Sequence, residues 1–540
     1  MESLSSLKTA DLFIRRSSGL VREIGARDAF AIGVGSMSLA GAFATIAVGL
    51  GLFPNSDFLV PLLVAGAIWL VTALAYWQLT VVMPKSGGDY VYASRLFTPA
   101  VGAIVGVAIL VELIFSLASN GITAATAELP FSFTSLGNVF NSSALTDFGT
   151  TIATPNATFI FTVILIVIVG LLCTQSIRRV ALILFWGAIL QIVGFLIVIG
   201  LFLSHSQADF QSAFNSFSGH PGAYASIIAA AQKSGFTPGV TLVSTLATVP
   251  FCWLLYEAFT FPNLTGGELK KPRFSYGMGV VGLLLLSVLL IVIAWVAMER
   301  MAGLDFLQSS GWLYLNQPNV YNATTTPILP TGMLYALMVA SDPVTKTILA
   351  FAFPAAHILS NLALMLVITR IIFALAFDRL LPTRLADVSP STHSPVVAVI
   401  VATIGGIIFA IMNRYSSLGN LFTQIVLLTA LQFFVISLAA MILPWRNREL
   451  WNSSPKVIGN ASVAGVPVLA IVSAVAAIGN ASMVVVIATR REIVGTYTPG
   501  SVATLLIMLL VGPVVYVIAR LINRSRGLDI RLAMRELPPD

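Results

Sequence analysis

The chain has 540 residues, of which 57% are hydrophobic and only 9% charged, and its mean hydropathy is +0.93. A soluble protein of this size needs far more surface charge, so the class is a polytopic membrane protein, with the lipid bilayer as its principal surroundings. The net charge of +7 comes from Lys and Arg scattered between apolar runs. Nucleic-acid binding would gather them on one domain, and is excluded on that ground.

Residues 1–28 are polar and basic, and the apolar run from Ala29 to Phe53 is too long for a signal-peptide core, so it reads as a retained first helix. A spanning helix needs roughly 20 apolar residues. Charge-poor stretches of that length fall near 29–53, 58–83, 99–124, 157–174, 181–203, 241–262, 276–298, 347–369, 395–413, 417–443, 463–488 and 498–519. With the N-terminus inside, 23 of the 29 Lys and Arg fall in inner segments and 6 in outer ones. This asymmetry supports about twelve spans with both termini cytoplasmic. The long connections near 125–156, 204–240 and 299–346 then lie outside and read first as ordinary polar loops; Asn141, Asn156 and Asn322 stand there in acceptor sequons, usable only in a host that glycosylates. Cys173 and Cys252 sit in apolar runs and read as small hydrophobes, with no disulfide or zinc framework. Residues 520–540 form a short basic tail suited to the membrane surface.

The most informative stretch is Phe251 to Pro272, FCWLLYEAFTFPNLTGGELKKP. It begins as a membrane segment, then meets Glu257, Pro262, Gly266 and Gly267, which predicts a helix that loses its regularity at membrane depth. Irregular backbone there is tolerated only against protein or a water-filled cavity. A pair of such breaks, one in each half of a transporter, points to a binding site at mid-membrane. The partner break is expected in the first span at Gly33-Val34-Gly35-Ser36-Met37. Glycines there serve equally for close helix packing.

Four stretches together resemble the amino acid permeases of the amino acid–polyamine–organocation superfamily. They are the small-residue run Gly33 to Met37; Pro84-Lys-Ser-Gly87-Gly88-Asp89-Tyr90-Val-Tyr92; Gly267-Glu268-Leu-Lys-Lys271-Pro272; and Thr369-Arg370-Ile-Ile-Phe373-Ala374-Leu-Ala-Phe377-Asp378. The resemblance covers roughly residues 28–450. It implies an all-α fold with two inverted five-helix repeats, about 29–203 and 241–443, discontinuous first and sixth helices, and two additional helices over 463–519. The implied activity is secondary transport of an amino acid or related amine at the plasma membrane, with no enzymatic step and no cofactor.

An α-amino acid brings a carboxylate and an ammonium into a low-dielectric pocket, and fixed groups must solvate both. A helix N-terminus suits the carboxylate; by resemblance those groups belong to Gly35, Ser36 and Met37. The ammonium falls to the unwound sixth span around Leu254, Leu255, Tyr256 and Glu257. The sequence departs from the family at Met37, where Gly is frequent, and at Ala258-Phe259-Thr260, where Gly-Phe-Glu is frequent. Ionisable groups within spans default to functional hypotheses, which makes Glu112 and Glu257 proton-coupling candidates. Glu112 reads equally as a packing acid, Glu257 as a selector for cationic substrates or a gate residue. Gln191 stands where many proton-coupled relatives place a Lys. The rival coupling ion is sodium, held by resemblance between carbonyls of Ala31, Val34 and His357 and the hydroxyl of Ser360. Proton-coupled symport is the reading adopted, with sodium symport, exchange, or a non-transporting nutrient sensor as alternatives. Gly87, Gly88 and Tyr90 are implied to close the cytoplasmic route, with Tyr90 and Tyr92 expected at the membrane interface. Asp378 is expected among the inner-surface charges.

Overall fold

A computed structural model describes residues 20–325, 329–416, 425–459, 461–491 and 497–533. Lys8, Arg15, Arg16 and Arg535 of the charge pattern, and the expected start of the tenth span at 417–424, lie outside the described residues. Twelve helices among the described residues are long and apolar enough to cross a membrane. They run Ala26–Leu52, Leu59–Val82, Pro99–Phe140, Pro155–Cys173, Ile177–Ser204, Leu242–Leu264, Pro272–Ala302, Pro343–Phe377, Val396–Tyr415, Ile425–Arg446, Val468–Thr489 and Pro499–Ser525.

Their burial separates core from rim. The eighth span is 89% buried over its most apolar stretch and the first 82%, whereas the ninth is 28% and the twelfth 17%. The eighth packs against the first, third, fourth, fifth and ninth. The rim spans present Leu171, Trp186, Ile404, Ile478 and Leu521 outward. A helix apolar on every side, with aliphatic residues exposed along its length, is one that lipid surrounds.

Several helices start on local signals. Pro occupies the first turn of the third, fourth, eighth and twelfth spans, where its missing N–H costs nothing. Asp342 caps the eighth by accepting from the Thr345 N–H at 2.8 Å. We call the face where the first span starts the near face and the opposite one the far face. The three long far-face connections are not open loops. They hold helices at Ser143–Ile152, Gln207–Ser218, Ala223–Lys233, Leu304–Asn316 and Gly332–Val339. The third span also runs on past its expected end, through a π-helical turn at Ala124–Glu128, to Phe140. Two short strands, Ser462–Val463 and Val466–Pro467, make a hairpin between the tenth and eleventh spans, turning at Ala464 and Gly465 with positive φ.

Candidate functional site

Both expected interruptions are present, and the first lies one residue later than the sequence suggests. The first span is regular from Ala26 to Met37, Ser38 takes the left-handed conformation at φ 50°, and a second helix runs Leu39–Leu52. The glycines before the break are committed to packing. A Cβ on Gly33 would lie 2.4 Å from Leu283 Cδ2, and one on Gly35 would lie 3.0 Å from Leu184 Cδ2. By the geometry of any helix start, the orphan N–H groups therefore shift from Gly35, Ser36 and Met37 to Leu39 and the residues that follow.

In the sixth span the helix Val249–Leu254 ends and a 3₁₀ segment, Glu257–Leu264, carries the chain on around Pro262. A tighter coil cannot keep i−4 bonding, so carbonyls at the junction need other partners. One is supplied from the second span: the Trp69 indole donates to the Trp253 carbonyl at 2.7 Å. The two indoles stack with centroids 4.6 Å apart, and Phe259 and Phe433 close edge-on against Trp69.

A cavity of about 220 Å³ lies between the two breaks. Ser36, Met37, Ser38 and Gly41 wall one side, and Leu254, Leu255, Glu257 and Phe261 the other. Ser116 and Asn120 of the third span and His357 and Ser360 of the eighth complete it. It extends along the resumed first helix as far as Thr45, which is exposed, on the way to the far face. Of the expected substrate contacts, Gly35 and Tyr256 do not line it; Tyr256 is fully buried.

Two groups, one behind this wall and one on it, escaped the sequence reading. Glu128 is 1% exposed and its Oε1 stands 2.5 Å from His357 Nδ1. It falls beyond the apolar window that ended the third span at 124; the π-helical turn brings it back to the core. Asn120 donates to Ser360 Oγ at 3.1 Å, and Ser360 Oγ reaches the Ser36 carbonyl at 3.4 Å. Two of the four proposed sodium ligands are thus already engaged: Val34 accepts the Ser38 N–H at 3.1 Å and Ser360 is bonded on both sides.

Glu257 also faces a second, tighter gap toward the near face, about 10 Å³ in volume and shared with Glu112, Asp89, Thr429 and Gln432. This space has room for at most a water, not a substrate. Thr429 donates to Glu112 Oε1 at 2.7 Å, while Gln432 reaches Asp89 Oδ2 at 2.5 Å and Asn263 reaches Asp89 Oδ1 at 2.9 Å. Burial pushes the Asp89 carboxyl up to about 7, against the downward pull of its donors Gln432, Tyr76 and Asn263. Gln191 lines neither space; it is buried and its amide has no partner among the described residues.

Below this gap the near face is shut. Gly87 and Gly88 turn at φ 89° and 34°, and a Cβ on either would collide, with Ala374 Cβ at 2.4 Å and Asn263 Nδ2 at 2.5 Å. Tyr90 and Tyr92 are not interfacial. Both are fully buried, Tyr90 donating to Asp378 at 2.7 Å and Tyr92 to Asn263 at 2.6 Å. Asp378 is likewise no surface charge: it is 1% exposed and takes both arms of Arg95, at 2.5 and 2.9 Å. A second buried fork joins Arg370 to Glu268 through two contacts of 2.9 Å. Backbone bridges Ser86–Thr265 and Ile24–Leu269 stitch the second-to-third connection and the N-terminal segment to the end of the sixth span.

A family model described as amino acid permease matches residues 24–518. The chain is similar to the branched-chain amino acid permease BcaP of Lactococcus lactis subsp. cremoris, 24% identical over 407 residues, covering 73% of this chain and 78% of that protein. It is also similar to the chloroplastic cationic amino acid transporter 7 of Arabidopsis thaliana, 24% identical over 436 residues, covering 77% of this chain and 64% of that one.

Proposed function

The chain belongs to the amino acid permease family, and from that premise we propose that it is a secondary active transporter of α-amino acids or related amines, driven by protons through alternating access. The observation that carries this reading is the cavity between two broken spans with Glu257 at its floor, facing the acid-lined gap beyond. The described form is the outward-open one, in the cell membrane with both termini cytoplasmic. In this reading the substrate carboxylate meets the N–H groups of the resumed first helix beside Ser36 and Met37. The ammonium meets the unwound backbone after Leu254 and the Glu257 carboxylate. A proton on Glu257 lets the floor close without burying a bare charge, and Glu112 and Asp89 pass it toward the cytoplasmic face. Gly87, Gly88 and Tyr90 form the gate it leaves by, and the halves 29–203 and 241–443 are the repeats that move. Two oxygens of the sodium alternative, the Val34 carbonyl and the Ser360 hydroxyl, already accept hydrogen bonds, which favours the proton over sodium.

Proteoliposome uptake with a labelled amino-acid panel tests this. An inward pH gradient is expected to drive accumulation at least tenfold above a sodium gradient. Glu112→Gln and Glu257→Gln are expected to abolish pH-driven accumulation; Glu112→Gln leaves counterflow exchange, whereas Glu257→Gln, which removes the carboxylate that meets the ammonium, weakens it. Sodium-driven uptake insensitive to both changes would overturn the coupling. Binding without any vesicular uptake would make the protein a sensor.

A further inference from the structure

A groove of about 690 Å³ opens on the near face, away from the central cavity. Arg22 of the N-terminal segment and Lys271 and Arg273 at the head of the seventh span line it, with no acidic side chain among the lining residues. Its other wall is apolar: Trp77 from the second span, and Phe274 and Met278 from the seventh, exposed by 62% and 55%. The Trp77 indole is fixed by donating to the Arg273 carbonyl at 2.9 Å.

The placement is what gives this groove a ligand. The second span ends at Val82 and the seventh begins at Pro272, so the cations stand at the level where hydrocarbon gives way to headgroups. Phe274 and Met278 lie on the helix that descends from there. Two other near-face cations, away from this groove, are consumed internally, Arg95 by Asp378 and Arg370 by Glu268. Among the described residues, neither Lys271 nor Arg273 has a carboxylate within ion-pair distance. Three cations above an aromatic and thioether wall match an amphiphile with an anionic head and an acyl tail, at a depth a soluble anion has no reason to occupy.

We propose that this groove binds an anionic phospholipid, the phosphodiester lying among Arg22, Lys271 and Arg273 and an acyl chain running along Trp77, Phe274 and Met278. The headgroup fastens the N-terminal segment to the head of the seventh span, reinforcing the Ile24–Leu269 backbone bridge that already joins the two regions. The lipid therefore favours the form in which this face is shut. Nothing in this depends on which solute is carried or which ion drives it.

The test is thermal unfolding of the purified full chain in detergent, titrated with phosphatidylglycerol, phosphatidylcholine or soluble glycerol phosphate. Phosphatidylglycerol is expected to raise the Tm saturably, and phosphatidylcholine and glycerol phosphate are not. In the Arg22→Gln, Lys271→Gln, Arg273→Gln triple variant the half-saturating concentration should rise about 100-fold, the summed effect of removing three cations from an anionic contact. A control triple, Arg178→Gln, Arg179→Gln, Arg446→Gln, removes the same charge from exposed near-face positions and should respond as wild type. Equal responses in both triples would reduce the effect to bulk charge and overturn the site. A full response to glycerol phosphate alone would overturn the lipid as ligand.

Discussion

Ser38 shows how a single residue sets the chemistry of the cavity. A non-glycine residue in the left-handed region costs on the order of 1–3 kcal/mol, which surrounding packing must hold in place. Substitution by Gly at this position removes that strain, so Ser38→Gly is expected to raise the Tm slightly while leaving the break intact, as a thermal melt with a substrate-binding titration would report. Asp89 makes the opposite case, a site where pH decides. Its carboxyl titrates at 3.8 when unfolded and about 7 in place, so the neutral form is the one the fold favours. The stability it contributes is complete below about pH 4 and is lost as pH rises through about 7. Wild type should therefore lose Tm relative to Asp89→Asn between pH 5.5 and 8.5; parallel curves would mean that Asp89 does not titrate there. Glu257 and the Gly87-Gly88 turn were legible from residue type alone. Glu128 and Asn263 were not, because an acid outside an apolar window and an Asn inside a turn look like ordinary loop residues until the chain is folded around them.

Among the elements, the helix Leu304–Asn316 lies along the resumed half of the first span, and the two meet glycine to glycine. A Cβ on Gly311 would stand 2.3 Å from the Ala47 carbonyl oxygen, and one on Gly51 would stand 2.2 Å from the Gly311 oxygen. Backbone cannot yield as a side-chain end can, so Gly311→Ala must push the helices apart. Overpacking of this kind costs typically ~1–3 kcal/mol. The variant should melt earlier and release bound substrate toward the far face faster, measured as dissociation rate; unchanged release would mean that this helix takes no part in far-face closure. Apolar windows located all twelve spans, since hydrocarbon thickness imposes a length, but they ended the third at 124 and the eighth at 369 where the helices run on to Phe140 and Phe377. They gave no sign of the helices at Gln207–Ser218 or Leu304–Asn316, whose polar faces dilute the average. Those elements are amphipathic, and Phe210, Phe214 and Phe306 are the buried side that a window sum hides.

Over the whole molecule, the near face is shut by two buried guanidinium–carboxylate forks and a layer of hydrogen-bonded tyrosines. The forks tie distant parts of the chain together: Arg95 before the third span to Asp378 after the eighth, and Arg370 within the eighth to Glu268 after the sixth. Glu268, Arg370 and Asp378 were visible as family motif residues, but residue order carries no distance between stretches a hundred or more positions apart. Breaking one partner strands the other charge, at about 3–5 kcal/mol. Glu268→Gln, in a Cys252→Ala background, should speed maleimide labelling of Cys173, which is buried on the fourth span and within electrostatic reach of Arg370. Unaltered labelling would mean that the fork is not part of the latch. The forks also imply something about solvent. When this face parts, four ionised groups need hydration shells that they lack while joined, so the closed-to-open step must draw in water. Osmotic stress from a polymer too large to enter should then slow turnover by holding the protein in its dry conformation, making the permease a valve that responds to the thermodynamic activity of water itself.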